Sequence, residues 1–147
     1  MDLPDNYSII TACGLENAPG AEAVRLEVFC DEQGFSREYE FDEHDPSAYH
    51  AVIFDRDDPV ATGRLVDKGE GRFLLGRFAV KKDYRMHHLG SALVRILEAE
   101  AIKRGGHILE ISAQTRASGF YESLGYTSYG EPYMDEHVPH IHMEKAV

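Results

Sequence analysis

The sequence predicts an α+β fold, a mixed and mostly antiparallel β-sheet with helices on its faces. Three observations lead there. Between residues 48 and 80, strand-like segments follow one another across short turns, as in an antiparallel meander. Beyond residue 88 the apolar spacing switches to three- and four-residue steps, the rhythm of a helix with one buried stripe. A strand, a helix and a second strand then span residues 74–113, the length of a parallel crossover unit.

In chain order, "YSIITAC" (7–13) reads as a first strand. "APGAEAVRLEVFCDEQG" (18–34) places Ala21, Val24, Val28 and the stem of Arg25 on one helical stripe and stops at Gly34. Residues 35–47 read as an acidic loop or a short helix. "AYHAVIFD" (48–55), "VATGRLVD" (60–67) and "RFLLGRFAV" (72–80) are strands joined through "RDDP" and "KGEG". Leu89, Leu93, Ile96, Leu97 and Ala101 form the stripe of a long helix. Lys103 and Arg104 suit its negative end, and Gly105-Gly106 stops it. "HILEISA" (107–113) reads as a buried strand, "ASGFYESLG" (117–125) as a short helix, and residues near 138–145 as a closing strand.

A single domain over 1–147 is expected, since 147 residues at 43% hydrophobic content suffice for one core and no repeat or linker composition intervenes. "MDLPDNYSIITACG" lacks the basic-then-apolar layout of a signal peptide, and no apolar run approaches membrane-spanning length. Cys13 and Cys30 are too few for a disulfide framework and lack metal-type spacing, so a cytoplasmic location is expected. A net charge of −11 argues against nucleic acid and against an anionic membrane as partners. That charge is uneven. "DEHD" (42–45), "DRDD" (55–58) and the stretch after Tyr133 are acidic, whereas 81–88 holds Lys81, Lys82, Arg85, His87 and His88 against one Asp.

The long helix begins oddly. Arg85, Met86, His87, His88 and Leu89 lead into it without the Ser, Thr, Asp or Asn that normally caps the first backbone N–H groups. Free donors preceded by cations suit an anion; Gly90 lets a ligand approach and Ser91 adds a hydroxyl. Water or a tertiary neighbour would satisfy the same donors. The Walker pattern fails because no lysine separates Gly90 from Ser91, and a dinucleotide fingerprint fails because the turn has one glycine.

"LGRFAVKKDYRMHHLGSALV" resembles the acetyl-CoA signature of the GCN5-related N-acetyltransferase (GNAT) superfamily, an apolar strand followed by Arg/Gln-x-x-Gly-x-Gly/Ala opening a helix. Arg85 and Gly90 match, and His88 replaces the first glycine. "QTRASGFYESLGY" is similar to the superfamily's Asn-x-x-Ala-x-x-Phe-Tyr run, with Gln114 for Asn and then Ala117, Phe120, Tyr121, Gly125 and Tyr126. "VFCDEQG", "YHAV", "PVATGRL" and "VPHIHM" further resemble the ElaA-type branch of small bacterial acetyltransferases.

The resemblance implies a GNAT-like fold and acetyl-CoA as cosubstrate. Its pantetheine would lie along 76–81 on backbone groups of Phe78 and Val80. Residues 85–91, from Arg85 through Met86, His87, His88, Leu89 and Gly90 to Ser91, would hold the pyrophosphate. Gln114, Ala117 and Phe120 would complete the cofactor site. The resemblance also implies that a primary amine attacks the thioester directly, which needs a base, an oxyanion donor and a proton or hydrogen bond for the thiolate. By resemblance Tyr121 serves the thiolate, and the amide of Ala79 or Val80, freed by a strand bulge, serves the oxyanion. A phenol near ~10 against a thiol near ~8.5 makes full proton transfer uphill, so the hydroxyl is expected to act mainly as a donor.

The base stays open. His50 and His140 suit it by chemistry, with Glu32 and Glu110 as further candidates. Glu32, Arg64 and Arg77 are candidates for binding the acceptor, although arginines on strands would equally pair with the acidic loops. The histidines at 137, 140 and 142 lie close together, but no cysteine is near and no metal is expected. The reading is therefore an N-acetyltransferase acting on a small amine, with a cationic acceptor favoured by the acidic body. Rivals are a non-catalytic acyl-CoA-binding module, a peptide or protein N-acetyltransferase and a histidine-based metal enzyme. Subunit pairing is common in the superfamily, so a homodimer is expected.

Overall fold

A computed structural model of the protein describes residues 3–147. Seven strands form one sheet in the order β1-β2-β3-β4-β5-β7-β6. β1 (Tyr7–Cys13), β2 (Tyr49–Asp55), β3 (Asp58–Gly69) and β4 (Arg72–Val80) run as an antiparallel meander. Helix α3 (Leu89–Lys103) then carries the chain to β5 (Ile108–Gln114), which lies parallel to β4. β7 (Val138–Ala146) pairs antiparallel with β5, and β6 (Thr127–Asp135) forms the far edge. No helix among the described residues is long and apolar enough to cross a membrane.

The helical stripe of α3 does what its spacing predicts. Leu89, Leu93, Leu97 and Ala101 are buried against Leu65, Phe73, Leu75, Leu109 and Ile111 of the sheet. Each such leucine contributes about 2 kcal/mol through the apolar surface it removes from water. On the other face, Val24, Val28 and Phe29 pack with Phe35 on Ala79. β3 is therefore covered on both sides, which is why its residues 60–66 are buried without alternation.

Two elements differ from the expectation. The helix predicted over 18–34 is α1 (Ala21–Arg25) followed by a π-helical turn over Leu26–Glu32. The wider turn is seen in the bond from the Gln33 amide to the Val28 carbonyl, five residues back. Arg25 buries its whole side chain, not only its stem, because two carboxylates meet it (below). Strand β6 was not expected. It is exposed along nearly its whole length, contains Gly130 and Pro132, and slips register between Tyr129 and Tyr133, so it shows no alternation of apolar residues. The short helices α2 (Arg37–Glu40) and α4 (Ser118–Ser123) complete the structure.

β4 and β5 stay paired only from Arg72–Ile108 to Leu75–Ile111, and then part. At the same level β4 bulges: Thr62 faces Ala79 and Arg64 faces Gly76, so Arg77 and Phe78 stand opposite Gly63 alone. Arg77 takes a left-handed φ of 51° there. The parting of these two strands creates the site.

Candidate functional site

A cavity of about 900 Å³ fills the gap between β4 and β5. One wall is β4 from Gly76 to Val80. The opposite wall is the end of β5 with Ala117, Phe120 and Tyr121. Val28, Phe29 and Glu32 of the π-helical turn cover it, and the start of α3 closes one end.

Most of the expected site residues meet here. Phe78, Ala79 and Val80 line the cavity, as do Gln114, Ala117, Phe120 and Tyr121. Of residues 85–91, all but His87 reach it; the His87 ring instead lies 3.3 Å from the Tyr7 hydroxyl. The helix start is uncapped, as its sequence predicts: His88 stands at the N-cap with φ 62° and gives no side-chain bond to the first turn. Ser91 turns its hydroxyl back to donate to the His88 carbonyl at 3.0 Å. His88 thus adopts the left-handed conformation that favours glycine.

Arg85 is fully engaged. Its Nε donates to the Val80 carbonyl at 2.9 Å, and Nη1 and Nη2 donate to the two oxygens of Glu32 at 2.6 and 2.7 Å. The bidentate bond to Arg85 holds the Glu32 carboxyl below its usual pKa range, overcoming partial burial, with Lys82 and Arg116 adding to it.

Tyr121 is 8% exposed. Its ring sits 6.1 Å from Phe78 and 5.0 Å from Phe120, and the residue lines the cavity without a side-chain hydrogen bond to another described residue. Burial pushes its phenol well above the ordinary value. His140, 7% exposed, also lines the cavity. Its Nδ1 lies 2.9 Å from the Val138 carbonyl, which can only accept, so Nδ1 carries a proton and the tautomer of the neutral ring is the one with its lone pair on Nε2.

Other candidates lie elsewhere. His50 is 1% exposed and its Nε2 contacts the Asp45 carbonyl at 3.1 Å, away from the cavity. Burial lowers its pKa. Arg64 is also absent from the cavity: Nη1 donates to Asp42 at 2.7 Å and to Asp45 at 3.1 Å. Both residues belong to a buried ionic cluster completed by Arg25, whose guanidinium meets Glu40 at 2.9 Å and Asp45 at 2.7 Å. Arg77 borders the cavity but turns to the same cluster, donating to the Glu40 carbonyl at 3.2 Å. Glu110 is tied to Lys68 and Arg72 at 2.7 and 2.8 Å, and is likewise outside the cavity. Strand periodicity puts these side chains on a face, but which loop covers that face is a tertiary outcome.

The three clustered histidines are linked through shared aromatic rings, Phe35 packing with His137 and His140 and Tyr133 with His140 and His142. His137 Nε2 lies 2.6 Å from the Gln33 carbonyl, His140 faces the cavity, and His142 stacks on Tyr133 at 4.6 Å.

Sequence reasoning missed Phe29, Gln33, Phe35, Ser112, Arg116 and Asp135, which also line the cavity. Arg116 had a usable signal, its place inside "QTRAS". Gln33 had one of the same kind, its place inside "VFCDEQG", but its bond from Gln114 at 2.9 Å, across a separation of 81 residues, was not readable.

The profile of the acetyltransferase (GNAT) domain matches residues 16–147. The chain belongs to the GNAT acetyltransferase family. Its fold is similar to that of a Lactobacillus plantarum protein assigned as an N-acetyltransferase, at 33% identity, a TM-score of 0.88, and coverage of 97% of this chain and 99% of that one. It also superposes on Escherichia coli ElaA, at 21% identity and a TM-score of 0.83, over 95% and 99% of the two chains. An aminoglycoside 6'-N-acetyltransferase complexed with coenzyme A shares the fold at 18% identity and a TM-score of 0.73, over 93% and 96%. The GNAT match runs through every element that lines the cavity, from the π-helical turn to β7.

Proposed function

We propose that this GNAT protein transfers the acetyl group of acetyl-CoA to the primary amine of a small molecule by direct attack. The observation that carries the reading is the parting of β4 from β5 beside the β4 bulge, with an uncapped helix start and a buried tyrosine opening onto the same cavity.

The residues fit the cosubstrate. Beyond Leu75 the β4 edge no longer pairs with β5, so its backbone can receive an extended pantetheine as an added strand. The Val80 carbonyl is already taken by Arg85, which leaves Phe78 and the Val80 amide for that role. The free N–H groups of α3, with Arg85, suit a diphosphate. A structural relative that carries coenzyme A supports the same assignment.

When bound, acetyl-CoA supplies an activated thioester. The chain does the rest. The bulge aims the amide of Ala79 or Val80 at the developing oxyanion. Tyr121 keeps its proton, because burial raises its pKa, and donates a hydrogen bond to the departing sulfur. His140 accepts the amine's proton at Nε2. Phe29 and Phe35 keep water from the reacting centre.

The test is thiol release from acetyl-CoA with a panel of primary amines, in wild type and His140→Gln. Amine-dependent release that drops at least tenfold in the variant is expected. Coenzyme A binding with no amine-dependent release would replace this reading with a non-catalytic acyl-CoA-binding module.

A further inference from the structure

Arg25, Arg64 and Arg77 form a closed ring with Glu40, Asp42 and Asp45, in which every member meets two of the opposite sign. Arg25 bridges Glu40 and Asp45 at 2.9 and 2.7 Å, and Arg64 bridges Asp45 and Asp42 at 3.1 and 2.7 Å. Arg77 closes the ring, meeting Asp42 at 3.4 Å and Glu40 at 3.2 Å. Its charges balance, as buried ionised groups require. The ring ties α1, the segment 40–45, β3 and β4 to one another. Of its members, Arg77 alone borders the main cavity. Arg77 is also the bulge residue with the left-handed φ of 51°. That conformation is unfavourable for a residue with a Cβ, and it persists only where the surroundings over-determine it. Here the ring fixes the guanidinium, and the Glu40 carbonyl accepts from Nη2 at 3.2 Å as well. The next residue, Phe78, is held in turn against Tyr121. Returning Arg77 to extended backbone would swing its guanidinium out of the ring.

We infer that Arg77 is a positioning residue for acetyl transfer: anchored in the ring, it holds the β4 bulge that aims the amide of Ala79 or Val80 at the oxyanion. It acts through the backbone that follows it, and its side chain binds the ring instead of a substrate. The inference rests on the acetyl-transfer reading above and gives the buried ionic ring a part in the reaction. An oxyanion donor works only when its direction is fixed before the charge develops, so a loosened bulge costs rate more than cofactor affinity.

Arg77→Gly and Arg77→Ala test this as a pair. Both remove the guanidinium and open the ring, but only glycine accepts the left-handed conformation freely. With saturating acetyl-CoA and amine, well below both melting midpoints, kcat per folded protein should be about tenfold lower for the alanine variant than for the glycine variant. Their coenzyme A affinities, from calorimetric titration, should agree within about twofold, because the donors at the start of α3 are untouched. A role in stability alone predicts equal kcat for the two variants, and that result overturns the proposal. So does a difference confined to coenzyme A affinity. Arg77→Lys decides the matter if the neutral variants fail to fold. It keeps the charge but not the planar fork that spans two carboxylates, and its kcat should fall about threefold. Undiminished turnover by that variant overturns the proposal. Each of these failures leaves the acetyl-transfer reading standing, whereas wild type that releases no thiol with any amine overturns both.

Discussion

Tyr121 and Tyr126 place their rings 6.2 Å apart, edge to face, yet only one phenol is satisfied by the protein. Tyr126 donates to Glu98 at 2.8 Å, whereas Tyr121, which lines the cavity, has no such partner among the described residues. A Phe substitution should therefore separate function from stability. Tyr121→Phe should lower turnover about 100-fold with coenzyme A affinity within about twofold. Tyr126→Phe should leave turnover nearly intact and cost about 2 kcal/mol, because Glu98 keeps only Lys145, at 3.1 Å, as a partner. Steady-state kinetics and denaturant melts on both variants check this.

Gly63 lies opposite the β4 bulge. A Cβ built there would fall 2.9 Å from the Phe78 ring and 3.2 Å from Leu97. Gly63→Ala should push that ring into the cavity and against Tyr121. The expected cost is about 1–3 kcal/mol of stability together with a rise in the Kd for coenzyme A, measured by titration.

Asp45 accepts from Arg25, Arg64 and the Asp42 amide at 2.7–3.1 Å. Burial pushes its carboxyl up, but these bonds win and hold it far below the usual range. A depressed folded pKa means its contribution is present above about pH 4 and is lost as pH falls through the folded value. Asp45→Asn should therefore cost about 3 kcal/mol near neutral pH, with two buried guanidiniums left short of charge. Melts at descending pH should show the gap to wild type closing in strong acid.

His88 pairs a bulky side chain with φ 62°. His88→Gly relieves about 1 kcal/mol of left-handed strain and should melt no lower than wild type. His88→Val, β-branched in that region, should lose about 2 kcal/mol. Coenzyme A binding should survive in the glycine variant, because the donors at the start of α3 are backbone groups.

Much of the fold was readable from local rules. The spacing of Leu89, Leu93, Leu97 and Ala101 described α3 correctly, and the run from residue 48 to 80 described three strands of the meander. β6 was not readable, because an exposed edge carrying Gly130 and Pro132 buries no apolar face. Neither was the π-helical turn over 26–32, since the apolar spacing from Val24 to Val28 is the same whether the next turn is tight or wide. His50 and His140 are the sharpest contrast. Both are buried histidines on strands, yet one is packed beneath the 37–48 segment and the other lines the cavity.

The sequence by itself determined the helix and strand periods, the uncapped start of α3 and the motif residues around Arg85, Gly90 and Tyr121, because each is a matter of neighbours along the chain. Only the tertiary structure decided which charges are spent on one another. Arg64 and Arg77 reach an acidic segment 22 and 37 residues earlier in the chain, and Arg85 closes on Glu32 across 53 residues. Such pairings depend on how the covering loops fall over the sheet, and Coulombic attraction between groups far apart in sequence leaves no periodic trace in it.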